Sequence, residues 1–157
     1  MKKIIVIYVV LIIAVLLLAS IRSGWNFNEI FSFNKATAEI GNKKFNLIIA
    51  KKDKDRITGL SGRKSLDENT GMLFVFDKKD KYAFWMKNMN FPIDIIYIND
   101  NKIVDVIPNA QAPKDKNAPL FIYKPRDISN YVLEVNAGVS QKNNFKVGDG
   151  VKLQNVK

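Results

Sequence analysis

Asp94 is a carboxylate in an apolar setting. In Pro92-Ile93-Asp94-Ile95-Ile96-Tyr97-Ile98 the alternation of a strand places Asp94 on the same face as Ile96 and Ile98. An unpaired charge buried there costs an amount comparable with the whole stability of a small domain, so a salt bridge or several amide bonds must compensate it. Arg63, after the Gly59-Leu60-Ser61-Gly62 turn, and Lys87, closing Ala83-Phe84-Trp85-Met86-Lys87, are the candidate partners. The simpler account is structural, because a carboxylate at a strand start readily bonds turn amides. In the functional account Arg63, Lys87 and Asp94 converge beside Trp85 and Asn88 on a small polar or anionic ligand. Trp85 itself reads either as core packing, the commoner fate of a strand aromatic, or as a binding platform.

A second chemistry open to these residues is hydrolysis by carboxylates alone, with Asp94, Glu134 or Asp149 as acid and base. It requires a pair separated by about 5 to 9.5 Å. Glu134 shares a strand face with Val132, and a solvated outer face is its simpler explanation. Asp149, within Gly148-Asp149-Gly150, reads as a turn residue. Other chemistries are excluded by composition. The chain has no His and no Cys, which removes Ser-His and Cys-His nucleophile systems and imidazole or thiolate metal sites. Phosphate-loop and EF-hand patterns are also absent, and neither a metal nor a cofactor is expected.

The elements that must position these residues are short. Thr37 to Ile40, a Gly41-Asn42 turn and Lys44 to Ala50 read as a hairpin, and Asp53 opens a short helix through Ile57 and Leu60. Strands are expected at Gly71 to Phe76, Tyr82 to Lys87, Asp94 to Ile98 and Lys102 to Ile107, with polar turns at 77–80 and 99–101. Tyr131 to Asn136 is a further strand, Ala137 to Asn143 a helical turn, and Val151 begins the last strand. Between them, Pro108 to Asn130 carries four prolines and no period; its Leu120-Phe121-Ile122-Tyr123 segment reads as an edge strand or a contact patch. The expected fold is mainly β, a compact sandwich or barrel-like domain with one or two short helices.

Ahead of this domain, Ile4 to Ile21 is an uncharged apolar run behind Met1-Lys2-Lys3. At the helical rise it is just long enough to cross the roughly 30 Å hydrocarbon core of a bilayer. It exceeds the core of a cleaved signal peptide and lacks an Ala-x-Ala exit site, so an uncleaved anchor is favoured over a cleaved leader. Lys2 and Lys3 precede it and only Arg22 follows directly, which keeps the N-terminus cytoplasmic and places the domain outside. The expected organisation is an anchor over residues 1–22, an aromatic juxtamembrane linker over 23–35 and a single β-rich domain over 36–157. The aromatics of Gly24 to Phe33 suit either the membrane interface or packing on the domain.

The chain carries 25 basic and 15 acidic residues, a net charge of +10. Scattered lysines of this kind usually make a solvated surface, although a basic face can also meet anionic envelope components. Single-stranded nucleic acid is disfavoured by the outward orientation.

Five ordered motifs carry a family likeness: Gly59-Leu60-x-x-Arg63, Gly71 to Phe76, Phe84 to Met89 with Pro92-x-Asp94, Tyr131 to Gly138, and Gly148-Asp149. Over about Ala36 to Leu153 the chain resembles the bacterial and archaeal family called domain of unknown function 192. The resemblance implies one β-rich domain, often behind a signal or anchor segment, with no established activity. Ser61-Gly62 stands where the family often has Met and a bulkier residue, which implies different packing beneath Arg63. The expectation from residues and resemblance together is a membrane-tethered extracytoplasmic module that binds a ligand or partner, with a carboxylate-dependent envelope hydrolase as the alternative.

Overall fold

The computed structural model describes residues 4–12, 15, 35–115 and 119–156. The chain divides into two units, residues 1–34 and 35–157, each described by itself. In the first, residues 4–12 are helical. Among the described residues no helix is long and apolar enough to cross a membrane. The rest of the apolar run, apart from residue 15, and the aromatic segment through Asn34 lie outside the described residues, and with them the anchor and linker expectations.

The second unit holds the strands β1 (Thr37–Ile40), β2 (Lys43–Ala50), β3 (Thr70–Asp80), β4 (Phe84–Trp85), β5 (Ile93–Asn99), β6 (Lys102–Ala110), β7 (Ile122–Tyr123), β8 (Ser129–Asn136) and β9 (Val151–Gln154). Two short helices accompany them, α1 (Asp53–Thr58) and α2 (Val139–Lys142). Seven strands form one sheet in the order β6-β5-β8-β3-β2-β1-β9, and β4 pairs with β7 as a separate ribbon. The β2–β3 pair is parallel, joined across α1, and the other pairs are antiparallel. The sheet curls until its two edges meet: Ile103 donates to Asp149 O at 2.9 Å, Gly148 to Ile103 O at 2.8 Å and Val151 to Asn101 O at 2.8 Å. The mainly β expectation therefore holds, in the form of a curled half-barrel.

Curling gives the sheet two different faces. Ala38, Phe45, Leu73, Ile96, Ile103, Leu133 and Val151 form one core. Because it draws on all seven strands, including both edges, it fills the concave side. Met72, Phe74, Ile95, Tyr97 and Val132 form a second core on the convex side, covered by Leu60, Leu66, Met86 and Met89. This double burial explains why β5 and β8 are apolar at consecutive positions rather than at alternate ones.

Three local expectations need correction. The polar stretch 77–80 is the exposed end of β3, where Asp80 pairs with Ser129 beyond a register shift. The strand expected over Tyr82 to Lys87 contracts to Phe84–Trp85, since Met86 turns into the convex core and Asn88 adopts a left-handed φ of 57°. β6 runs on through Pro108 to Ala110, which an edge strand permits because proline's missing N–H faces no partner there.

Gly71 lets β3 approach β8 closely. A Cβ at this position would lie 2.7 Å from Leu133 Cδ1 and 3.2 Å from both Glu134 O and Val135 Cγ1. Gly71→Ala is expected to destabilise the domain by about 1–3 kcal/mol through overpacking. In urea unfolding the midpoint should fall with the slope unchanged; an unchanged midpoint would mean that the two strands separate freely.

Candidate functional site

A cleft of about 370 Å³ opens on the convex side of the sheet. Glu134 contributes to its lining. It lies on β8 opposite Met72 of β3 and Ile95 of β5, on the same face as Val132. Its neighbours are therefore apolar, and the side chain is only 5% exposed. Among the described residues no hydrogen-bond donor or cation reaches its carboxyl group. Burial pushes its pKa up from 4.5 to about 8, so the group is largely protonated at neutral pH. The solvated outer face expected for Glu134 is thus overturned, because β8 is covered on both sides.

Aromatic rings wall the cleft. Phe74 and Phe84 meet edge to face at 4.9 Å, and Phe84 in turn meets Tyr97 at 6.1 Å. Phe76 and Tyr82 stack at 3.5 Å with their planes 10° apart. Trp85 also lines the cleft and is 51% exposed, which makes it a surface platform instead of a core residue. The ribbon achieves this: β4 pairs Trp85 with Ile122 and Phe84 with Tyr123, so Phe84 turns inward and Trp85 outward.

Apart from Glu134 and the Trp85 indole N–H, the polar side chains of the cleft are already engaged. Arg56 Nη1 donates to Lys51 O at 2.5 Å and to Val75 O at 2.7 Å, and its Nη2 meets Asp53 Oδ1 at 2.5 Å. Its guanidinium lies over the Phe76 ring at 5.2 Å. The hydroxyls of Thr58, Ser61 and Tyr82 donate to Lys54 O, Lys87 O and Lys78 O at 2.9, 2.9 and 2.7 Å.

The residues expected to form a ligand site fall into different places. Asp94 is fully buried on the concave side of β5. Its Oδ1 accepts from the amides of Asn109 at 2.8 Å and Gly138 at 3.1 Å, and its Oδ2 from the amide and hydroxyl of Ser140, both at 2.7 Å. Amide bonds, and not Arg63 or Lys87, compensate this charge, as the structural account required. Arg63 is exposed, and its carbonyl accepts from Asn90 Nδ2 at 2.8 Å. Lys87 and Asn88 line a second cleft of about 670 Å³ together with Lys114 and Asp115. Only Trp85 of the expected set lines the aromatic cleft.

Nor do the three candidate acid–base residues meet. Asp94 and Glu134 project from opposite faces of the sheet, and Asp149 holds the amide of Lys146 at 2.9 Å in its own turn. The other carboxylate lining the aromatic cleft is Asp53, which is paired with Arg56. Among the described residues no group of three potential metal ligands occurs.

Reading by strand parity alone missed Arg56, Phe74, Phe76 and Tyr82 as parts of the site. The signal that could have found Glu134 is Val132-Leu133-Glu134-Val135, whose apolar residues occupy both parities and so require burial on both faces.

Residues 35–153 match the family model of domain of unknown function 192, described as "Uncharacterized ACR". Two solved structures share the fold. A protein from Sinorhizobium meliloti 1021, provisionally described as a transcription regulator, is 26% identical with a TM-score of 0.67; the match covers 76% of this chain and 92% of that one. A protein of unknown function from Novosphingobium aromaticivorans DSM 12444 is likewise 26% identical, with a TM-score of 0.64 over 75% of this chain and 83% of that one. No curated protein matches the chain. Since the family model spans the cleft and all but the last residue of the curled sheet, the chain belongs to the uncharacterised family called domain of unknown function 192.

Proposed function

We propose that this protein is a membrane-tethered extracytoplasmic binding module that receives a small polar ligand in the aromatic cleft above Glu134. The observation that carries the reading is a nearly buried carboxyl, without a partner among the described residues, lining a cleft walled by aromatic rings. Such a group is costly to the fold and gains a hydrogen bond or a counter-charge only from something that enters. A concave, mostly apolar pocket with one convergent polar group is the usual form of a small-molecule site. Hydrolysis by paired carboxylates has less support, because the Asp94, Glu134 and Asp149 side chains do not converge. The tether rests on the apolar run from Ile4 to Ile21 and its flanking charges.

Two measurements test the two halves of this reading. Small polar envelope components are screened by thermal shift; a ligand of the cleft stabilises the wild type in proportion to the logarithm of its concentration and loses that effect in Trp85→Ala. A panel that moves both proteins equally, or neither, counts against the cleft. Protease added to intact spheroplasts is expected to digest residues 36–157, and full protection would place the domain on the cytoplasmic side.

A further inference from the structure

Resting on the cleft reading, we infer that the ligand group seated over Glu134 is an organic ammonium ion, held by the Glu134 carboxylate and the surrounding aromatic faces. Apart from the Trp85 indole N–H, the side-chain donors of the cleft are committed to the protein. Its three hydroxyls each give their proton to a main-chain carbonyl, and the Arg56 guanidinium is bound to two carbonyls and to Asp53. An anionic guest would find few free donors. What the cleft does present is electron-rich: aromatic rings, among them the half-exposed Trp85, and a carboxyl that nothing among the described residues neutralises. Ring faces carry the negative lobe of the quadrupole, and a cation enclosed by them and set against a carboxylate is the arrangement that recognises alkylammonium groups.

The site also suits an organic cation better than a metal ion. A bare divalent ion requires several oxygen ligands, whereas of the two carboxyls lining the cleft Asp53 is paired with Arg56 and Glu134 is set among Phe74, Phe84, Trp85 and Met89. The cleft volume of about 370 Å³ lies within the range of small-molecule sites.

Binding such an ion must displace the proton held by Glu134, which gives the interaction a sign in pH. The groups around the carboxyl are few. Tyr97 faces it from β5 with Asp105 of β6 behind, and Asp105 is itself bonded to the amides of Val106 and Arg126. Arg56, Asp53 and Tyr82 stand at the rim. Both phenols are held above the ordinary value, Tyr97 and Tyr82 alike chiefly by burial, and stay neutral below pH 8. Glu134 is then the group whose titration controls the site in that range. Affinity for a permanently charged ligand should rise about tenfold per pH unit up to about pH 8 and level off above it.

The test uses choline, whose charge does not titrate, and its neutral carbon isostere 3,3-dimethylbutan-1-ol, each titrated calorimetrically into the full chain in nanodiscs. Choline is expected to bind at least about tenfold more tightly than the isostere at pH 8 and to weaken about tenfold between pH 7 and pH 6. Glu134→Gln should bring the two ligands to similar affinity. Trp85→Ala, at a half-exposed position, should weaken choline severalfold. Glycerophosphocholine separates two sources of the same group: binding as tight as choline's assigns a lipid headgroup, exclusion assigns a free amine, and either result upholds the charge preference. If the isostere binds as tightly as choline and Trp85→Ala weakens both, the cleft reading survives and the ammonium assignment fails. Choline affinity that falls as pH rises, or no choline binding at about 10 mM, also overturns the assignment, and the thermal-shift panel then judges the cleft separately.

Discussion

Asp94→Asn is expected to destabilise the domain by about 2–4 kcal/mol, which is a drop of roughly 10 °C in the thermal midpoint. The wild-type carboxylate accepts four hydrogen bonds, three from amides and one from a hydroxyl, and all four of its partners are donors. Asparagine retains one acceptor oxygen and replaces the other with an NH₂ group that opposes donors at hydrogen-bond distance. Either orientation leaves buried N–H groups of 109, 138 or 140 without an acceptor, and bonds to a charged acceptor are the stronger kind. The consequence reaches beyond one side chain, because Asp94 ties β5 to the end of β6 and to the turn that starts α2. Arg63→Ala provides the contrast. Arg63 is exposed and has no ion pair among the described residues, so its loss should stay within about 0.5 kcal/mol. Equal losses from the two variants, with a non-additive double mutant, would show that Arg63 supports Asp94 after all.

The parity of β5 already identified Asp94 as a carboxylate turned toward Ile96 and Ile98, and the concave core contains both of those residues. What parity could not supply was the partner. The amides of Gly138 and Ser140 stand 44 and 46 positions further along the chain, and local sequence carries no mark of that meeting. The Gly41-Asn42 hairpin was legible for the opposite reason, since a tight turn between two alternating runs is a local device. The aromatic cleft was hardest to see. Phe74 and Phe76 come from β3, Phe84 and Trp85 from the ribbon, and Glu134 from β8, and only the sheet order and the β4–β7 pairing bring them together. Parity gives Glu134 a solvated face, whereas β8 is covered on both sides. For Trp85 parity leaves core packing and a binding platform both open, and the two-residue β4 leaves the ring half exposed.

Glu134→Gln is expected to change how stability depends on pH. In the unfolded chain this carboxyl ionises near 4.5, while in the folded domain burial holds its proton until about pH 8. Between these values the unfolded state binds fewer protons than the native state, so native stability contributed by this group is present at low pH and is lost as pH rises. Each pH unit crossed between those two values removes about 1.4 kcal/mol, so the wild type should lose about 3–4 kcal/mol relative to Glu134→Gln between pH 5 and pH 8. Glutamine has nearly the same volume and no charge, so its fixed cost, an amide lacking partners, is the same at both pH values and cancels from the comparison. The measurement is chemical denaturation of both proteins at pH 5, 6.5 and 8, read as the difference between them. A difference independent of pH would mean that the Glu134 carboxyl ionises normally in the native domain, and the cleft would then hold a solvated carboxylate. A difference of the expected sign that shrinks when choline is added at pH 8 would link the buried proton to the occupant of the cleft, since a cation that binds only the native, ionised form restores the stability that ionisation removes.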